Sequence, residues 1–143
     1  MDYHHILLAV DPEDDNTALI ARGRELARRF KADLSLAHVV EYFPVDPASE
    51  TLVPTPVSVE QELVDEARKQ LRGIARALDI TDRHIHVRVG TVRREIAQLA
   101  TEQQVDLIVV GRHQRHGLGL MLGSTGTAVL RAAPCDVLAV HLG

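Results

Sequence analysis

Two short apolar runs, residues 6–10 (ILLAV) and 107–110 (LIVV), constrain this chain more than any other feature. A strand that is apolar on both faces must be covered on both. Each run therefore reads as a central strand of a parallel sheet with helices on either side. Both are far shorter than the roughly 20 apolar residues a membrane helix needs. The stretches between and around them alternate in period. Ala18, Leu19, Ala21, Leu26, Ala27 and Phe30 recur at helical spacing after Asp14, Asp15 and Asn16, which are candidate caps. Residues 33–40 (DLSLAHVV) read as a second strand, apolar on both faces.

Residues 41–56 hold Pro44, Pro47, Pro54 and Pro56 and read as a long loop. Ser58 and Gln61 have capping-box spacing. Leu63, Val64, Ala67, Leu71, Ile74, Ala75 and Leu78 then trace one helical face. In residues 84–89, Ile85, Val87 and Val89 alternate, which suits a strand at a sheet edge. Gly90 and Thr91 open a helix containing Ile96, Leu99 and Ala100. Residues 125–133 form a short helix stopped by Pro134, and residues 136–142 the last strand. This alternation predicts a parallel sheet with helices on both faces. In such sheets ligands bind beyond the carboxyl ends of the strands, where strand order reverses. With the two apolar runs as neighbours, the segments after residues 10 and 110 share one crevice.

Composition narrows the function classes. The 143 residues suit one domain, residues 1–143, with 45% hydrophobic and 25% charged residues. A net charge of −4 and a pI near 6.0 argue against a nucleic-acid partner. Cys135 is the one cysteine, which fits a reducing, cytoplasmic compartment. The apolar run near the N-terminus is too short for a signal peptide, and no membrane partner is expected. Eight histidines show no zinc-ligand spacing, so no metal site is expected. His38, inside a strand, reads as a hydrogen-bonded core histidine. No Ser/His/Asp or Cys/His order points to catalysis, and the chain is expected not to be an enzyme.

One stretch carries chemistry. Residues 105–125 (VDLIVVGRHQRHGLGLMLGST) read as a buried strand, a basic glycine-rich loop and a helix start. That arrangement holds phosphate, because backbone N–H groups and the positive helix end face the anion. The stretch is neither a P-loop nor a dinucleotide fingerprint, since both spacings are absent.

HHILLAVD at the start, LSLAHV in the second strand, VDLIVVGRHQ and GLGLMLGST later, and APCDVLAV at the end resemble the universal stress protein family over essentially the whole chain. The resemblance implies a Rossmann-like fold of the adenine-nucleotide alpha-hydrolase type. Its sheet has five parallel strands ordered 3-2-1-4-5. The family includes ATP binders and non-binders, mostly homodimers. ATP binders share the motif G-x2-G-x9-G-[S/T]. Gly111, Gly123 and Ser124 match it. Gln114 replaces the second glycine, and the Gly111–Gly123 interval is one residue short. Gly-x-His-Gln resembles the non-binding branch, while the Gly-Ser end resembles the binding one.

The resemblance implies roles residue by residue. Asp11 and the backbone of Val39 face the adenine edge or ribose, and Ala9 and Val10 line the base pocket. Gly111, Arg112, His113 and Gln114 lie along ribose and phosphate. Gly123, Ser124 and Thr125 donate to the phosphates. The expected activity is ATP binding, with Mg²⁺ as a companion ion, in a stress-response or signalling module. The module acts as a homodimer through residues 136–142 toward a partner the sequence leaves unnamed. The alternative is a dimeric interaction protein of the same fold that binds no nucleotide. A small enzyme of the alpha-hydrolase class is a third reading, and it lacks visible catalytic residues.

Overall fold

A computed structural model describes residues 2–41, 45–46, 51–52, 57–115, 119–122 and 124–142. Strands β1 (His5–Ala9), β2 (Asp33–Val40), β5 (Ile85–Val89), β6 (Leu107–Arg115) and β8 (Asp136–His141) pair in parallel in the order β5-β2-β1-β6-β8. This is the expected 3-2-1-4-5 sheet. The two apolar runs are adjacent, with Ile6 opposite Leu107 and Ala9 opposite Val110. Helices α1 (Thr17–Phe30), α2 (Val57–Arg76), α3 (Val92–Glu102) and α4 (Ser124–Ala132) connect the strands.

Strand alternation splits the core into two layers. Leu7, Ala9, Ala37, Val39, Ile108 and Val110 pack toward Ile96 and Leu99 of α3 and Val129 of α4. Ile6, Leu8, Val10, Leu36 and Val109 pack toward Leu19 of α1 and Leu71 and Ala75 of α2. Gly23 lets α1 approach this second layer closely. A Cβ there would stand 2.8 Å from both Leu8 methyl carbons.

Three local expectations need correction. Helix α2 begins at Val57, so Ser58 lies inside it, and Gln61 donates forward to the Asp65 carboxylate at 2.8 Å. Gln61 thus supports a helical turn and closes no capping box. Residues 41–56 include two short antiparallel strands, β3 (Val45–Asp46) and β4 (Thr51–Leu52). The expected glycine-rich loop is partly strand. β6 continues to Arg115, and its end pairs antiparallel with β7 (Gly119–Leu122), Arg112 opposite Leu122 and Arg115 opposite Gly119.

Helix α3 starts as expected: Thr91 Oγ1 accepts from the Arg94 N–H. Gly90 precedes it at φ +148°, a conformation that side chains disfavour, and its N–H donates to the Val40 carbonyl at 3.0 Å. The exits of α1, α2 and α3 share one trait. Each leads to a non-glycine residue in the left-handed region: Lys31 at φ 53°, Asp79 at 55° and Gln104 at 54°.

Candidate functional site

A cleft of about 370 Å³ opens beyond the carboxyl ends of β1 and β2. Asp11, Pro12 and Glu13 enter it from the chain leaving β1, and His38 to Glu41 from the end of β2. Gln70 of α2 and Val92 at the start of α3 close its sides. A pocket of this size lies at the small end of the range for small-molecule sites.

The turn after β1 is fixed by its own hydrogen bonds. Asp11 Oδ1 accepts from the Glu13 N–H at 3.0 Å. The Asp11 carbonyl accepts from the Asp14 N–H and from Asn16 Nδ2, both at 3.0 Å. Asn16 is buried and also donates to the Asp14 carbonyl at 3.1 Å. Its amide therefore ties the turn together and makes no side-chain cap bond to α1. Asp15 instead accepts from the Thr17 N–H and hydroxyl, and these bonds hold its carboxyl below the usual range.

His38 is half-buried where β2 passes the end of β1, and its Nδ1 lies 3.0 Å from the Val10 carbonyl. A carbonyl only accepts, so Nδ1 carries the proton. In the neutral ring Nε2 is then an acceptor. The expected hydrogen bond of His38 is present, but the residue lines the cleft as well.

The named residues separate into groups. Asp11 and Val39 meet at the cleft. Ala9 and Val10 are 2% and 1% exposed and belong to the core, beneath the cleft. Gly111 sits within β6 opposite Val140, and a Cβ there would overlap Leu142 Cδ1. The missing side chain thus makes room for the end of the chain. Arg112, His113 and Gln114 lie in the β6–β7 hairpin, opposite Leu122, Met121 and Leu120. Ser124 and Thr125 are the first residues of α4, and Gly123 lies outside the described residues.

The hairpin's position follows from pairing. β6 has two edges, and Arg112 pairs with His141 of β8 on one. β7 therefore takes the other edge, the one β1 occupies from Leu107 to Val110. The hairpin stands directly beyond the end of β1. Sequence reasoning missed Glu41, Gln70 and Val92 at the cleft. Glu41 was findable, because it directly follows a strand whose end was already assigned to the crevice.

A second polar cluster lies at the opposite end of the sheet. Ser35 is 0% exposed, and its Oγ is 2.6 Å from His5 Nε2 and 3.3 Å from His84 Nδ1. His5 Nδ1 is 2.9 Å from the Gln103 carbonyl, and Arg83 Nε donates to His84 Nε2 at 3.1 Å. With neutral rings, the outer partners set the direction of the chain. Arg83 donates to His84, His84 to Ser35, Ser35 to His5, and His5 to Gln103. The Ser35–His5 pair resembles a nucleophile and its base, but full burial keeps any substrate away. Burial, then Arg83 and then His5 lower the His84 pKa, with Asp33 acting weakly against them. Burial also lowers that of His86, whose buried Nε2 has no hydrogen-bond partner among the described residues. Among the described residues, no group of three or more His, Cys, Asp or Glu is arranged to hold a metal ion. None of the described helices is long and apolar enough to cross a membrane.

Known proteins place this architecture. The profile of the universal stress protein family matches residues 2–141. The chain is 39% identical to universal stress protein A homolog 1 of Coxiella burnetii, over 99% of both chains. It is 42% identical to universal stress protein A homolog 2 of the same organism, over 96% of this chain and 92% of the relative. A universal stress protein solved in complex with cAMP superposes with a TM-score of 0.65 at 26% identity, covering 100% of both chains. With the profile spanning nearly the whole sequence and these relatives matching end to end, the chain belongs to the universal stress protein family.

Proposed function

We propose that this chain is an adenine-nucleotide-binding stress-response module that acts as a cytoplasmic homodimer and catalyses no reaction of its own. The observation that carries this reading is the cleft that brings Asp11 and the Val39 backbone together beyond the ends of β1 and β2. Asp11 offers a carboxylate to ribose hydroxyls, and the Val39 main chain offers hydrogen bonds to a base edge. The related protein solved with cAMP supports an adenine ligand. ATP, with Mg²⁺, is the ligand the sequence motif suggests. Calorimetric titration of ligand-stripped protein with adenosine, AMP and ATP is expected to show one adenine ligand per chain. Asp11→Ala is expected to weaken binding roughly tenfold, as loss of a charged hydrogen bond does. Silence from all three ligands at millimolar concentration would sink the reading.

Assembly rests on β8. Among the described residues it pairs with β6 alone, so its outer edge is unpartnered. Val137 and Leu138 help line a mainly apolar groove of about 370 Å³ with Tyr3, Leu26, Phe30 and the carboxylate of Asp136. An open apolar edge invites another strand, and a second copy of β8 is the proposed occupant. Sedimentation at micromolar concentration is expected to show a dimer; a monomer would overturn this part. The reading without nucleotide draws on the β6–β7 hairpin, which stands where a phosphate-binding loop was expected.

A further inference from the structure

We infer that the cleft selects ligands by the base and ribose and discriminates against added phosphate, so that adenosine and AMP bind more tightly than ATP. This rests on the adenine-binding reading and narrows it. The charges and hydrogen-bonding groups of the lining carry it. Asp11, Glu13 and Glu41 bring three carboxylates to the cleft, and no lysine or arginine is among the described residues that line it. Carboxylates accept hydrogen bonds and donate none. The His38 ring also faces the cleft, with its Nδ1 proton already taken by the Val10 carbonyl. Among the described lining residues, Gln70 alone brings an uncommitted side-chain amide donor. The complementary ligand is therefore rich in donors and poor in negative charge. An exocyclic amine and two ribose hydroxyls meet that description. A triphosphate meets the opposite one, and like charges brought together lower affinity for the wrong partner.

The backbone gives an independent reason. Residues 112–115 lie where the motif would cradle phosphates, and they are engaged in the β-ladder with β7. A ladder directs its N–H groups along the sheet toward neighbouring strands. The loop conformation that converges several N–H groups on one anion is not available to the same residues at the same time.

The test is competitive calorimetry with adenosine, AMP, and ATP with and without Mg²⁺ on ligand-stripped protein. Adenosine and AMP are expected to bind roughly tenfold or more tightly than metal-free ATP. Raising NaCl from about 0.05 M to about 0.5 M is expected to narrow the gap, because salt screens exposed charges. Glu13 and Glu41 are both exposed, so the Glu13→Gln, Glu41→Gln double variant keeps its fold. It is expected to narrow the gap between adenosine and metal-free ATP severalfold. ATP binding tightest of the three overturns the inference and leaves adenine binding standing. An unchanged gap in the double variant also overturns it. No binding by any of the three overturns both.

Discussion

Leu8→Ala is expected to cost about 3 kcal/mol of folding free energy, or about 10 °C in melting temperature for a domain of this size. Replacing Gly23 by alanine in the same chain is expected to return part of that loss. Leu8 is 0% exposed, between Leu36 of β2 and Val109 of β6. Truncating it leaves a cavity beneath α1. In the wild-type background, Gly23→Ala gains about 1 kcal/mol of helix propensity and loses about 1–3 kcal/mol to overpacking against Leu8. Its net effect is a small destabilisation. Once Leu8 is shortened, the new methyl enters vacated space and the overpacking disappears. The four proteins of this cycle are expected to show a coupling of about 1–2 kcal/mol in urea denaturation. Strict additivity would mean that α1 stands farther from the sheet than described.

Stability is expected to fall in mild acid, and the histidines at the amino ends of the strands are the cause. His84 and His86 have folded-state pKa values below the usual 6.5. Around that pH the unfolded chain binds more protons than the folded one. Stability is therefore full above the unfolded value and declines as pH falls through it. The hydrogen-bond chain explains why the fold resists protonation. A proton on His84 Nε2 would face the Arg83 Nε–H across 3.1 Å. One on His86 Nε2 would be a buried charge without a hydrogen-bond partner among the described residues. The urea midpoint is expected to drop between about pH 7.5 and about pH 5.5. The lowered carboxyls of Asp15 and Glu102 act in a separate, more acidic window. His86→Leu removes an unsatisfied buried atom as well as a proton site. It is expected to raise stability and flatten the pH slope; an unchanged slope would reject this assignment.

The sequence was most legible where burial is two-sided. Residues 6–10 and 107–110 had to be central, and they are neighbours; the second strand was bounded at Asp33–Val40, as observed. Residues 84–89 looked like an edge strand, and β5 pairs with β2 alone among the described residues. The signal failed where structure depends on a distant partner. Residues 111–115 have no apolar alternation, so only their pairing with 119–122 makes them a strand. At α2, side-chain chemistry offered two alternatives, and Gln61 takes the one toward Asp65. The cleft was half-visible for a similar reason. Asp11 and Val39 follow from strand ends, which topology predicts. Gln70 and Val92 arrive on helices, and their placement depends on how those helices pack.

The left-handed exits at Lys31, Asp79 and Gln104 fall where each helix hands over to the amino end of a strand, away from the cleft. Holding a side chain in that conformation costs roughly 1–2 kcal/mol per residue, and glycine escapes most of it. The protein therefore carries an unused reserve of thermal robustness at three separated points, none of which lines the cleft. Lineages living at different temperatures can spend or keep that reserve one codon at a time. That reserve and the cleft lie at opposite ends of the sheet, so each is free to drift without dragging the other.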